Sequence, residues 1–203
     1  MSKWIMEVIS SAGYPALLCL MFIENVFPPI PSELIMPLAG YMVTTGQFSF
    51  IGIIVAGTIG SILGALPLYY LGHAFGEDRL KQLADAYGRW FTVSCKDIDR
   101  AKQWFDRHGA WAVLICRFVP GVRSLISIPA GLDHMSLLPF LFYSTIGMGL
   151  WTALLASLGY ILGGSFEKVE EYFDPISYMI LGGILLLYIV RVVRHERQGP
   201  EKD

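Results

Sequence analysis

Between Trp4 and Gly76 the chain has no lysine and no arginine, and its only acids there are Glu7, Glu24 and Glu33. Charge is scarce throughout. Of the 203 residues 16% are charged, where an ordinary soluble domain carries about 25%. A net charge of −2 excludes the basic surplus of a nucleic-acid binder or a polybasic surface protein. The three cysteines, Cys19, Cys95 and Cys116, are odd in number and scattered. They make neither a disulfide framework nor a metal-ligand pattern and read as packing residues. His73 and His108 have no companion at metal-ligand spacing, so no metal and no cofactor is expected. What is present instead is apolar: 54% of residues, with a mean hydropathy of +0.53. That is a membrane composition, and at this length one membrane domain over 1–203 is expected. The first apolar run is interrupted by Pro15, closed by Glu24 and followed by no small-residue cleavage site, so it reads as part of the mature chain.

Three stretches, 48–72, 137–163 and 176–193, are long enough to cross a bilayer core, which takes about 20 residues of helix. Arg191 and Arg194 would snorkel at the end of the last. Two other apolar stretches are cut by prolines. The first, 14–46, is broken at Pro28, Pro29 and Pro31. The second, 110–132, is broken at Pro120-Gly121 and again at Pro129. Proline removes a backbone donor and clashes with the preceding turn, so no clean helix runs through either break. Re-entrant hairpins fit, with the broken backbone buried in protein or facing a wet cavity. Broken hairpin then spanning helix occurs twice, the outline of an inverted repeat with its site where the breaks meet. The expected fold class is therefore all-α integral membrane, an inverted-repeat bundle. Six kinked helices in one bundle are the alternative. Gly57, Gly60 and Gly64 share one face and mark close helix packing.

The polar stretch 77–108 mixes Arg79, Lys81, Arg89, Lys96, Arg100, Lys102 and Arg107 with acids and aromatics, as an interfacial amphipathic helix does. The tail adds Arg191, Arg194 and Arg197, whereas 165–174 is acidic. The positive-inside rule places 77–108 and the C-terminus in the cytoplasm and 165–174 outside. The two hairpins then enter from opposite faces.

A charge at the centre of a membrane helix costs at least about 2.5–3.5 kcal/mol, so such residues face a cavity and have a role. Glu24 and Glu33 flank the first break and suit a proton-coupling or gating pair, which a hairpin brings together. Arg117 and Arg123 flank the second. Pro120-Gly121 lets the two guanidiniums converge as a bidentate phosphate clamp, with Gly121 and Ser124 in the loop and backbone donors of the following half-helix adding to the anion site. The competing arrangement is a pair of buried salt bridges, Arg117 to Glu24 and Arg123 to Glu33, which also describes an empty site that substrate phosphate opens. Ser32 suits a half-helix cap, and Asp133-His134 suits a cap of the next helix.

The run Phe22-Ile23-Glu24-Asn25, then Pro28-Pro29-Ile30-Pro31-Ser32-Glu33, resembles the first break of the DedA family, also called the SNARE-associated or VTT-domain family. Arg117-Phe118-Val119-Pro120-Gly121-Val122-Arg123, followed by Pro129-Ala130-Gly131, resembles the second. The likeness covers roughly residues 14 to 190. It implies paired re-entrant hairpins, bacterial inner-membrane location, transport of lipid or lipid-linked phosphates and, in some members, dependence on the proton gradient. It places family-essential acids at Glu24 and Glu33 and arginines at Arg117 and Arg123. Some relatives carry Asp at the second acidic position and lack the double proline.

The leading function is a flippase moving a polyprenyl phosphate, above all undecaprenyl phosphate, from the outer to the cytoplasmic leaflet with an ion gradient. The partner is then that lipid or a phospholipid, with no nucleic acid, and a homodimer is among the assemblies left open. Phosphatidylethanolamine translocation is the rival in the same class. A membrane lipid phosphatase or phosphotransferase is the rival in another, but it needs a nucleophile or metal cluster, and the Gly-His that would extend Pro31-Ser32-Glu33 into a lipid-phosphatase signature is absent. A purely structural scaffold would leave the buried charges without a role.

Overall fold

The structure, a computed structural model, describes residues 2–26, 32–91, 103, 105, 107–119 and 122–163. Their regular elements are all helical: α1 (Ser2–Val26), α2 (Ser32–Thr44), α3 (Phe50–Phe91), α4 (Ala110–Cys116), α5 (Ser127–Leu132) and α6 (Leu137–Leu162). Among the described residues three helices are long and apolar enough to cross a membrane: Trp4–Val26, Phe50–Gly76 and Leu137–Leu162. The last two answer to the expected spans 48–72 and 137–163. The first was not expected as a span, because its apolar run is interrupted by Pro15 and closed by Glu24 and 14–46 reads as a proline-broken hairpin, yet the helix runs back to Ser2. The stretch 176–193 lies outside the described residues, as do Pro28, Pro29, Pro31, Pro120 and Gly121.

Of the four described glycines with positive φ, two lie within helices and supply backbone there that other residues adopt only at a cost. Gly13 (φ 66°) divides α1 into a short leading piece and the arm 14–26. Gly76 (φ 66°) bends α3 where the apolar span gives way to the polar stretch. The second arm of the first hairpin, α2, has 13 residues, about 20 Å of helix against a hydrocarbon core of about 30 Å. Pro129 is a correction. It does not interrupt the second stretch but sits third in α5, within a first turn whose amide donors need no intrahelical partner.

Ring and hydroxyl contacts set the direction of each helix. Phe50 meets Tyr160 at 5.7 Å between centroids, Thr58 bonds Thr152 at 3.1 Å, and Tyr69 stacks on Phe140 at 4.6 Å, so α3 and α6 run antiparallel. Within the first half α1 runs parallel to α3, since Leu18 lies on Gly60 and Phe22 on Gly64. Within the second, α4 runs parallel to α6: Trp111 meets Tyr143, Arg117 lies on Gly147 and Phe118 meets Trp151. The halves also exchange their second arms through one motif. Gly40 of α2 and Gly159 of α6 abut the carbonyls of Ala156 and Pro37, while Gly131 of α5 and Gly72 of α3 abut those of Tyr69 and Ile128. Backbones approach this closely only where no Cβ intervenes. This is an inverted repeat in the bundle, and Gly57, Gly60 and Gly64 are packing glycines as expected.

Two apolar clusters follow from the exchange. One joins α1, α2 and the start of α3 to Leu155 and Ala156 of α6. The other joins Ala65 and Tyr69 of α3 to α4, α5 and Phe140 of α6. The charged residues lie among them.

Candidate functional site

The second break is built from a helix that tightens before it stops. After Cys116 the amides of Phe118 and Val119 bond to the carbonyls of Ile115 and Cys116, and the amide of Arg123 reaches back to Val119. These short-range bonds draw the chain into a compact turn, and Arg117 and Arg123 end up as neighbours. Arg117 is 1% exposed and heads the fully buried side chains by size. Its guanidinium donates to the carbonyl oxygen of Arg123, to Ser127 Oγ at 3.2 Å and to Ser144 Oγ at 2.9 Å, and lies 5.6 Å from the Phe140 ring centroid. Every one of these partners is neutral, and Nε has no partner among the described residues. Withdrawing such a cation from water costs several kcal/mol. Hydrogen bonds to a charged group return about 1.5–3 kcal/mol each, and the aromatic face up to about 2 kcal/mol.

Glu24 comes from the end of α1 and is 3% exposed. It accepts a charge-assisted bond from Arg123. This differs from the pairing in the competing salt-bridge arrangement: Glu24 pairs with Arg123 rather than with Arg117, which lies against Gly147 of α6. Glu33, half-buried at the start of α2, makes no ion pair among the described residues, so the expected Arg123 bridge to it is not formed. Ser124 is buried beside Arg123, and its carbonyl accepts the amide of Ser127.

Several residues were missed. Ser127 and Ser144 hold Arg117. Ser127 stands ten residues beyond Arg117 and Ser144 lies inside an apolar span, where a lone hydroxyl carries little signal. Asn25 is buried and donates from Nδ2 to the carbonyl of Ser61 at 3.0 Å, fastening the end of α1 to α3. Asp133 does not cap the helix after it: Ser136 holds that position, with no side-chain bond, and Asp133 ends α5. The halves also differ at this level. Met21 rests on Gly60 where Arg117 rests on Gly147, so the repeat places a thioether in one half and a cation in the other.

Helices long and apolar enough to cross a membrane, with the buried Arg123–Glu24 pair joining the two halves, define a polytopic membrane protein. Residues 29–161 match the VTT domain, and the chain belongs to that family, the DedA family. It is 37% identical over 195 residues to a curated relative, undecaprenyl phosphate transporter A of Staphylococcus aureus, covering 96% of each chain. It is 40% identical to an alkaline phosphatase-like protein of Lactococcus lactis, over 96% of this chain and 92% of that one. It is 28% identical to protein DedA of Escherichia coli, over 94% and 88% respectively. No solved structure matches the chain.

Proposed function

We propose that this protein is a flippase that returns a lipid phosphate, undecaprenyl phosphate above all, from the outer to the cytoplasmic leaflet of the bacterial inner membrane, driven by an ion gradient. The observation that carries this reading is Arg117, a buried guanidinium that among the described residues is ligated by neutral oxygens and an aromatic face, with no partner there for Nε. Such a cation is held ready for an anion. Beside it, Arg123 is neutralised by a carboxylate that an anion can replace. A phosphate monoester carries about −1.5 to −2 charges near neutral pH, enough to draw Arg123 from Glu24 and engage both arginines, with Gly121 and Ser124 as further contacts for the phosphate. Hydrogen bonds from guanidinium to phosphate are bidentate and charge-assisted. The acids then have the second task. Glu24, released from Arg123, and Glu33 become the groups through which ion binding gates the exchange.

The two hairpins, 14–46 and 110–132, enter the bilayer from opposite faces in this scheme, with 77–108 and the C-terminus in the cytoplasm. The short α2 supports re-entry rather than crossing. The isoprenoid tail stays in lipid along the hairpins' outer faces, where Ile23, Val119 and Val122 are exposed, and only the head group crosses. That a relative covered over almost its whole length carries the name undecaprenyl phosphate transporter A supports the choice of lipid.

The Lactococcus name raises the phosphatase reading. A serine nucleophile needs a neighbouring base, whereas Ser127 and Ser144 accept bonds from a cation, which lowers their nucleophilicity. Transport is therefore favoured. In purified protein, undecaprenyl phosphate should raise thermal stability in a manner that requires Arg117 and Arg123, as a ligand selective for the folded state must. Stabilisation by phosphatidylethanolamine alone, with the same arginine dependence, would transfer the site to a zwitterionic phospholipid. Release of inorganic phosphate from a polyprenyl pyrophosphate would establish an enzyme instead.

A further inference from the structure

The repeat fixes which residues of the two halves correspond. Gly13 and Gly109, both of positive φ, open the first arms. Leu18 and Met21 lie on Gly60 as Leu114 and Arg117 lie on Gly147, and Tyr69 and Gly72 of α3 answer to Ala156 and Gly159 of α6. These pairs keep two constant spacings along the chain, one for the arms and one for the long helices. The way each arm is held nevertheless differs. α1 is seated on α3 by interlocked backbone, for the carbonyls of Leu18 and Phe22 crowd the places where Gly60 and Gly64 lack a Cβ. Neutral hydrogen bonds fasten it at both ends. Tyr14 Oη accepts the amide of Ser49 at 2.9 Å, and Asn25 Nδ2 donates to the carbonyl of Ser61 at 3.0 Å.

The second arm has none of these holds. The spacing of the arms carries Tyr14 to Ala110 and Asn25 to Gly121, neither of which has a polar side chain. At Gly147 the carbonyl of Leu114 stands back, 3.3 Å from where a Cβ would be, behind the Arg117 side chain at 2.7 Å. The spacing of the long helices carries Gly64 to Trp151, which meets the Phe118 ring at 6.4 Å between centroids. Its Nε1 is buried without a partner among the described residues. There, two side chains fasten α4 and its break to α6 and α1. Arg117 donates to Ser144 of α6 at 2.9 Å, and Arg123 pairs with Glu24 of α1.

We propose that Arg117 and Arg123 are the latch of the second arm as well as its phosphate clamp, so that an anion which takes their guanidiniums releases α4 from α6 while α1 stays seated on α3. The proposal rests on the transport reading and names the arm that moves. A ligand shifts a conformational equilibrium only through contacts that differ between the two states. A phosphate competing with Ser144 and Glu24 for the same donors meets that condition, because the bonds it displaces are those that hold the arm. Trp151 serves the movement. A ring contact can slide where interlocked backbone cannot, and an orphan donor in the seated state raises the energy of that state.

Spin labels at exposed, corresponding positions read the two seams: Val119 with Leu150 in the second half and Ile23 with Leu63 in the first. Full-length protein in detergent, in a background without native cysteines, should give one predominant distance for each pair. Undecaprenyl phosphate should add a longer distance between Val119 and Leu150 and leave Ile23 and Leu63 unchanged. Ser144→Ala removes the acceptor on α6 with little change of size. With no lipid present, it should raise the ratio of longer to shorter Val119–Leu150 distances about tenfold, as loss of a hydrogen bond to a charged group does. An unchanged Val119–Leu150 distance in Ser144→Ala, or equal movement of both pairs, overturns the proposal. Movement in Ser144→Ala without a response to undecaprenyl phosphate would leave the latch standing and remove the lipid assignment.

Discussion

Arg117 donates a hydrogen bond to the backbone carbonyl of Arg123, so the two arginines of the second break are joined directly. The first guanidinium holds the backbone that carries the second. The second is held in turn by Glu24 from the opposite half of the repeat. Displacing Glu24 from Arg123 therefore reaches Arg117 through a single bond, and through Arg117 the serines of α5 and α6.

Arg117→Lys should fail nearly as badly as Arg117→Ala in transport of undecaprenyl phosphate into proteoliposomes. Lysine keeps the charge but loses the planar fork that spans the Arg123 carbonyl, Ser127 and Ser144 while keeping Nε for substrate. Transport by the lysine variant at the native rate would show that a point charge suffices.

Removing either member of the Glu24–Arg123 pair strands the other in the interior, which costs about 3–5 kcal/mol. Glu24→Ala and Arg123→Ala should each lower the melting temperature clearly, and the double variant should lower it by much less than their sum. Additive losses would mean that the two side chains stabilise the protein separately. Glu33→Gln should melt like the native protein, because Glu33 makes no ion pair among the described residues.

The close helix contacts predict a contrast among glycines. Gly40→Ala and Gly131→Ala place a Cβ against the carbonyls of Ala156 and Tyr69 and should cost about 1–3 kcal/mol each through overpacking. Gly149→Ala meets only the Thr58 side chain, at 3.8 Å, and should be tolerated. Equal melting temperatures for all three would contradict the exchanged packing of α2 and α5.

Topology can be read by labelling. Single cysteines at Lys168 and Gln198, in a background without native cysteines, should react from opposite sides of the membrane, as the distribution of lysine and arginine requires. Reaction from the same side would remove the scheme in which the two hairpins enter from opposite faces.

Much of this protein is written in its sequence. Low charge and long apolar runs set the solvent, because ionised groups cannot be scattered through a lipid-facing surface. The stretch without lysine or arginine isolated Glu24 and Glu33, and the proline and glycine runs marked where helices had to stop. Arg117 and Arg123 stood out for the same reason, as charges in apolar surroundings. Which acid meets which arginine was decided only by tertiary structure. Two glutamates and two arginines allow more than one pairing at equal sequence cost, and the choice turns on Gly147, whose missing Cβ lets Arg117 lie against α6 and leaves Arg123 for Glu24. Ser127, Ser144, Asn25 and Ser61 were equally silent, since a small polar side chain in an apolar helix gains its meaning from the atom it faces. That atom lies on another helix, brought there by the exchange of arms between the two halves.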